Sequence, residues 1–273
     1  MVNPAGEPES SVAPGDHAPH SSGPPTEGGG RLLISYPWLT YLLPIVVFLG
    51  VGSFEPTADH DIEFLGLAIP YDAYPVVYAI KIALTMAAMA VAWPGYKQFP
   101  CRISPLAVAV GLVGAVVYVG LCKLEFEGMI LPHVGLGWLA DYGARSGFDP
   151  WTHWPQAPHW AEGYLALRFW GLVVIVPIIE EFFLRGLVMR YFIAPDWWNV
   201  PFGTLTSKAA IIGTLVPVIM HPPTETLAAA AWFTLITWLM FKTRNIWDCV
   251  LAHGVTNLGL GVYVLASGDW YLL

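Results

Sequence analysis

Long apolar blocks separated by short charged connections constrain this chain more than any other feature of its sequence. Leu32 to about Val51, Tyr74 to Trp93 and Pro105 to Cys122 each approach the length of a bilayer crossing. About 20 residues at 1.5 Å each cover the hydrocarbon core. A further block begins near Tyr164, and three more follow over about Ala209–Met220, Leu227–Phe241 and Ile246–Ala266. With 56% of residues hydrophobic and 12% charged, the apolar positions fall in blocks rather than amphipathic stripes. The expectation is an all-α, polytopic transmembrane helix bundle of seven spans, or eight.

Composition divides the chain into three stretches. Residues 1–31 are rich in Pro, Gly and Ser with several acids and contain no apolar run, so they read as a disordered tail rather than a cleaved signal peptide. Residues 32–162 hold the N-terminal spans, with Gly111 and Ala115 forming a small-xxx-small face, and a tryptophan-rich loop over 123–162. That loop carries Trp138, Trp151, Trp154 and Trp160 with His133, His153 and His159, and an interfacial aromatic belt is favoured over a metal site there. Residues 163–273 hold the remaining spans. The net charge of −8 comes largely from the tail and two loops, including Glu55, Asp59, Asp61, Glu63 and Asp72, and serves as a topology signal. No basic patch interleaved with aromatics points to nucleic acid. Cys101, Cys122 and Cys249 lack C-x-x-C spacing and read as reduced packing residues. Arg31, the 97–102 connection, Arg190 with Lys208, and Lys242 with Arg244 fall on one side of a seven-span bundle. Positive residues favour the cytoplasm, which puts the N-terminus inside. The acidic tail and charge point to a prokaryotic inner membrane.

Within the fourth block the run VPIIEEFFLRGLVMRYF places Glu180, Glu181 and Arg185 in otherwise apolar surroundings. One charged side chain at the centre of a span costs roughly 2.5–3.5 kcal/mol, so such a cluster is a functional-site hypothesis by default. Glu181 and Arg185 are i and i+4 with the acid N-terminal, the favourable order for a pair, whereas Glu180 is turned about 100° away. One glutamate is thereby neutralised and the other left free. Pro177, just ahead of them, removes a backbone hydrogen bond and is expected to bend the helix. His253 and Asn257, again i and i+4, share a face of the last span, and His221 ends an apolar run immediately before two prolines. By helix rise, Glu180, His221 and His253 lie roughly 17, 20 and 10 Å from the basic ends of their spans, which are overlapping depths.

The pattern Glu180-Glu181-x-x-x-Arg185, then His221, then His253-x-x-x-Asn257, resembles the three motifs of the CPBP intramembrane proteases, the group that includes the CAAX prenyl endopeptidases. The resemblance covers about Ile178 to Gly261. It departs at Pro217, where the family has an aromatic four residues before the histidine, and no HExxH of a soluble-type zincin is present. The resemblance implies a hydrolase that cuts a peptide bond in a membrane-associated protein or peptide. Glu180 would activate water, since burial and the adjacent Glu181 both favour a carboxyl that accepts and returns a proton. His221 would position the water, and His253 and Asn257 would polarise the scissile carbonyl. A competing version has His221, His253 and Glu180 hold a divalent metal such as zinc. Two other classes fit an intramembrane polar cluster: a non-catalytic scaffold or immunity-type peptide-binding protein, and an ion-coupled transporter. No internal repeat of broken helices supports the transporter.

Overall fold

The computed structural model describes residues 36–58, 61–140, 145 and 147–273, so the expected tail over 1–31 lies outside the described residues. Helix α1 spans Leu39–Gly52, α2 Tyr74–Tyr96, α3 Pro105–Lys123 and the short α4 Phe126–His133. A single helical rod, α5, then runs from Pro158 to Tyr191 with alternating winding. It is α-helical over Pro158–Trp170, π over Gly171–Ile175, α over Val176–Glu181, π over Phe182–Val188 and α over Met189–Tyr191. Helices α6, Ser207–Met220, α7, Thr226–Thr243, and α8, Ile246–Ser267, complete the bundle.

Among the described residues four helices are long and apolar enough to cross a membrane: Tyr71–Tyr96, Pro105–His133, Pro223–Thr243 and Ile246–Ser267. Their outward faces are bare hydrocarbon, with Val116 of α3 75% exposed, as contact with lipid requires. The protein is a mostly helical integral membrane protein. Against the seven crossings expected, α1 and α6 have only 14 residues each. The first expected block begins at Leu32, outside the described residues, and α6 stops at Met220 because Pro222 and Pro223 cannot continue a helix. The all-α expectation also misses a hairpin in the first loop, where Ile62–Phe64 pairs antiparallel with Leu67–Ile69. Its two-residue turn has positive φ at both Leu65 and Gly66, the handedness that suits twisted strands. Three-residue strands are too short to show a period in the sequence.

Two apolar clusters hold the bundle together, and each draws residues from both sides of position 163. One joins α3 to α6, α7 and α8; the other joins α1 and α2 to α5 and the start of α8. The small face of α3 does what its spacing implies. A Cβ at Gly111 would meet the Ala252 carbonyl of α8 at 2.7 Å, and Ala115 lies against Gly259. Thr256 then donates to the Gly111 carbonyl at 2.9 Å, a short interhelical bond that only this close approach permits. Helix α8 is anchored at its start by Asn245, which accepts from the Trp247 amide, and by Asp248, which accepts from Ser104 at the head of α3.

Candidate active site

Helix α5 owes its irregular winding to its sequence. Pro177 has no amide hydrogen, so the carbonyl one turn earlier, that of Val173, loses its usual partner. The expected disruption takes the form of a π turn over Gly171–Ile175, a feature frequent at functional sites. Helix α8 moves into this gap. A Cβ at Gly254 would stand 2.6 Å from the Val173 carbonyl, so only glycine allows the approach. Asn257 donates its amide to the neighbouring Leu172 carbonyl at 2.8 Å.

The same docking brings His253 onto the glutamates. Its Nδ1 lies 2.9 Å from Glu181 Oε1, and because a carboxylate only accepts, Nδ1 carries the hydrogen and Nε2 is turned towards Glu180, 3.9 Å from its Oε2. The other oxygen of Glu181 is 2.7 Å from Arg185 Nη1, in a pair with both side chains fully buried. The guanidinium N–H bonds are not aimed at that oxygen, so charge rather than a directed hydrogen bond holds the pair. Nε and Nη2 of Arg185 have no hydrogen-bond partner among the described residues. Glu180 differs from its neighbour: its side chain is 15% exposed against 0% for Glu181.

That exposure is to a cavity of about 430 Å³, within the range of ligand sites, whose wall includes Glu180, His221, Arg145, Arg168, Lys81 and Glu55. His221 caps the end of α6. Its own backbone is extended, and its Nδ1 lies 2.7 Å from the Pro217 carbonyl. A carbonyl only accepts, so the free nitrogen of His221 is Nε2. Position 217, where the resembled family has an aromatic, thus contributes a carbonyl here. The aromatic ring beside His221 comes from Phe233 of α7, which stands edge-on to His221 at 5.4 Å, near His253 at 6.3 Å, and under Arg185 at 5.8 Å.

The structure therefore brings Glu180, Glu181, Arg185 and His253 together, sets His221 on the same cavity as Glu180, and ties Asn257 to the backbone of α5. Among the described residues no group of three His, Cys, Asp or Glu is drawn together as a metal site. The three loop histidines stay apart in local contacts. His133 bonds the Met129 carbonyl, His153 packs on Phe148 and Trp154, and His159 lies by Trp160. Trp138 and Trp160 are more than 60% exposed, as an aromatic belt requires. The cysteines are free, with Cys122 and Cys249 buried. Arg190, counted above as a topology signal, is buried and donates to the carbonyls of Gly186, Trp198 and Val200.

Several wall residues are not among those singled out in the sequence. Lys81 and Arg168 obey the rule that identifies Glu180, a charge within an apolar block, and Lys81 pairs with Glu55 at 2.5 Å. Glu55 is thus a cavity residue rather than a topology signal. Arg145 has no such marker. It reaches in from the loop before α5 and grips Glu225 with two bonds of 2.9 and 2.7 Å, while Tyr118 of α3 donates to the same carboxylate at 2.5 Å. Burial acts against the charge of Arg145, but the Glu225 carboxylate outweighs it and raises the guanidinium pKa above its ordinary value.

Residues 162–259 match the family model described as type II CAAX prenyl endopeptidase Rce1-like. The match spans Glu180, Glu181, Arg185, His221, His253 and Asn257, and the activity of that family is proteolysis, a hydrolase reaction. No curated protein and no solved structure matches the chain at a significant level.

Proposed function

We propose that the chain is an intramembrane endopeptidase in which Glu180 activates a water against a peptide bond of a membrane-associated protein or peptide. The contrast within one adjacent pair carries this proposal. Glu181 is sealed between Arg185 and His253, whereas Glu180 opens onto the cavity shared with His221. A carboxylate that faces a neutral imidazole in a low-dielectric cavity is a good proton acceptor, and a general base of this kind contributes about 10²–10⁴ in rate. Glu180 takes the proton of the water and returns it to the leaving amine. Glu181 orients His253, much as a buried carboxylate orients a catalytic imidazole. His253 Nε2 then faces the proton held by Glu180 and steadies it until Glu180 passes it to the leaving amine. His221, its Nδ1 tied to a carbonyl, offers Nε2 to the water. Arg145 adds a fixed positive charge to the same cavity. Asn257 holds the π turn that positions Leu172 and Val173, instead of reaching for the scissile carbonyl with its amide nitrogen. The lysine and arginine distribution supports an N-terminus on the cytoplasmic side, and the acidic tail and net charge support a prokaryotic inner membrane.

The test compares protein termini in membranes from cells carrying wild type or Glu180→Gln at matched expression. New termini appearing only with wild type are expected, and they identify the substrate. If both membranes give the same termini while Glu180→Gln still complements a deletion, the cavity binds peptide without cutting it. A metal route has its own check. Activity of the purified protein is expected to survive 1,10-phenanthroline, and a loss on chelation reversed by zinc would replace Glu180-activated water with metal-bound water.

A further inference from the structure

The charges around the cavity do not balance in pairs, and the imbalance points to a ligand. Lys81 is matched by Glu55 at 2.5 Å, and Arg145 by Glu225 at 2.7 Å. Arg168 has no carboxylate within ion-pair distance among the described residues. Its guanidinium lies over the Tyr78 ring, 4.6 Å from the centroid, and it forms part of the same wall as Glu180 and His221. With its guanidinium carbon over the Tyr78 ring and beside the Tyr78 hydroxyl, Arg168 keeps further donors of its fork to offer a planar oxyanion. An arginine kept within an apolar block without a counter-charge is unfavourable unless an anion reaches it. Tyr78 also donates to the backbone carbonyl of Arg168 at 3.3 Å, which fixes the ring under the guanidinium.

We infer that Arg168 is an anion-recognition residue of this cavity, binding a carboxylate or phosphate oxyanion of the molecule that occupies it. The inference rests on the cavity being the substrate site of the proposed endopeptidase, and it adds a distance rule. Arg168 and Glu180 are 12 residues apart on one rod, which is roughly 18 Å along its axis. An extended peptide spans that in about five or six residues. The π turn between them lowers the twist per residue and helps turn both side chains to one cavity. A substrate is therefore gripped at an acidic group about five or six residues from the bond that Glu180 attacks.

The experiment uses the full-length Glu180→Gln protein in detergent, so that binding is read without turnover. Four probes are titrated: a mixed-sequence decapeptide pool with free C-terminal carboxylates, the same pool as C-terminal amides, lysophosphatidate, and the uncharged monoacylglycerol. The charged member of at least one pair is expected to bind about tenfold more tightly, the scale of one charge-assisted contact. That preference is expected to vanish in Arg168→Gln and to return largely in Arg168→Lys. The thermal transition of each variant shows that it is folded, and the charged-over-neutral preference of the Arg168 protein needs no variant at Arg168. A preference for the peptide carboxylate assigns the anion to the substrate chain, and one for lysophosphatidate assigns it to a lipid headgroup. Equal binding within both pairs, or a preference that survives Arg168→Gln, overturns the inference. Arg168-dependent anion binding with no new termini in the membrane experiment would remove the endopeptidase and leave the anion site standing.

Discussion

Two polar clusters serve this cavity, and they are built in opposite ways. Glu181, Arg185 and His253 form a triad sealed from solvent, two of its members a single helical turn apart and the third bound over a separation of 72 residues. Arg145, Glu225 and Tyr118 form a second triad across separations of 80 and 107 residues, with the Arg145 side chain 27% exposed. In the proposed endopeptidase the sealed triad fixes an imidazole for chemistry. The open one ties a loop and two helices into the cavity wall. Both satisfy a buried carboxylate with one arginine and one neutral donor, so the difference lies in access to water, which sets how much each is worth when broken.

Breaking the sealed triad is expected to have the largest effect. Glu181→Ala or Arg185→Ala leaves the opposite charge buried and alone, a loss of about 3–5 kcal/mol of stability. Thermal unfolding of the purified variants is the measurement. Replacing both at once, Glu181→Leu with Arg185→Met, should restore most of that stability, because two matched apolar side chains carry no charge into the interior. Hydrolysis should stay lost in the double variant, since His253 then has no acceptor for Nδ1. A double variant that regained activity would show that the pair acts through packing alone.

The open triad should break more gently. Arg145→Ala leaves Glu225 with Tyr118 and with access to water, and a drop of about 1.5–3 kcal/mol in unfolding free energy is expected, the scale of hydrogen bonds to a charged group. Tyr118→Phe, which removes one donor and no charge, should lie at the lower end of that range. A loss from Arg145→Ala as large as that from Arg185→Ala would erase the distinction between the clusters. The smallest effect is expected of Asn257→Ala. Freeing the Leu172 carbonyl should reduce stability by about 1 kcal/mol, and the rate should fall only as far as the π turn shifts. A drop in rate equal to that of Glu180→Gln at unchanged stability would return Asn257 to the reacting groups.

The legible parts of the molecule are those whose cause is local. Apolar blocks announce helices such as α2 and α3, whose starts at Tyr74 and Pro105 agree with the sequence boundaries. The Gly111 and Ala115 spacing announces a close helix contact, though not that α8 is the partner. The i,i+4 order of Glu181 and Arg185 announces their pairing because a helix alone brings those positions together. Lys81 and Arg168 were equally open to view as charges within apolar blocks. Arg145, Glu225 and Phe233 carry no such mark, because a loop arginine, an acid after two prolines and a phenylalanine in an apolar helix are each ordinary in isolation.

By itself the sequence determined the helices, their lipid-facing composition, the neutralisation of Glu181 by Arg185 and the weak point at Pro177, all consequences of backbone geometry and solvation over a few residues. Only the tertiary structure decided which imidazole nitrogen faces Glu180, that Asn257 serves the backbone of α5, and that Arg145 and Glu225 meet. It also left Arg168 beside the cavity without a counter-charge among the described residues. The physical reason is distance along the chain. Contacts across 70 or more residues depend on how helices dock, and docking here turned on one carbonyl freed by Pro177 and the missing side chain of Gly254.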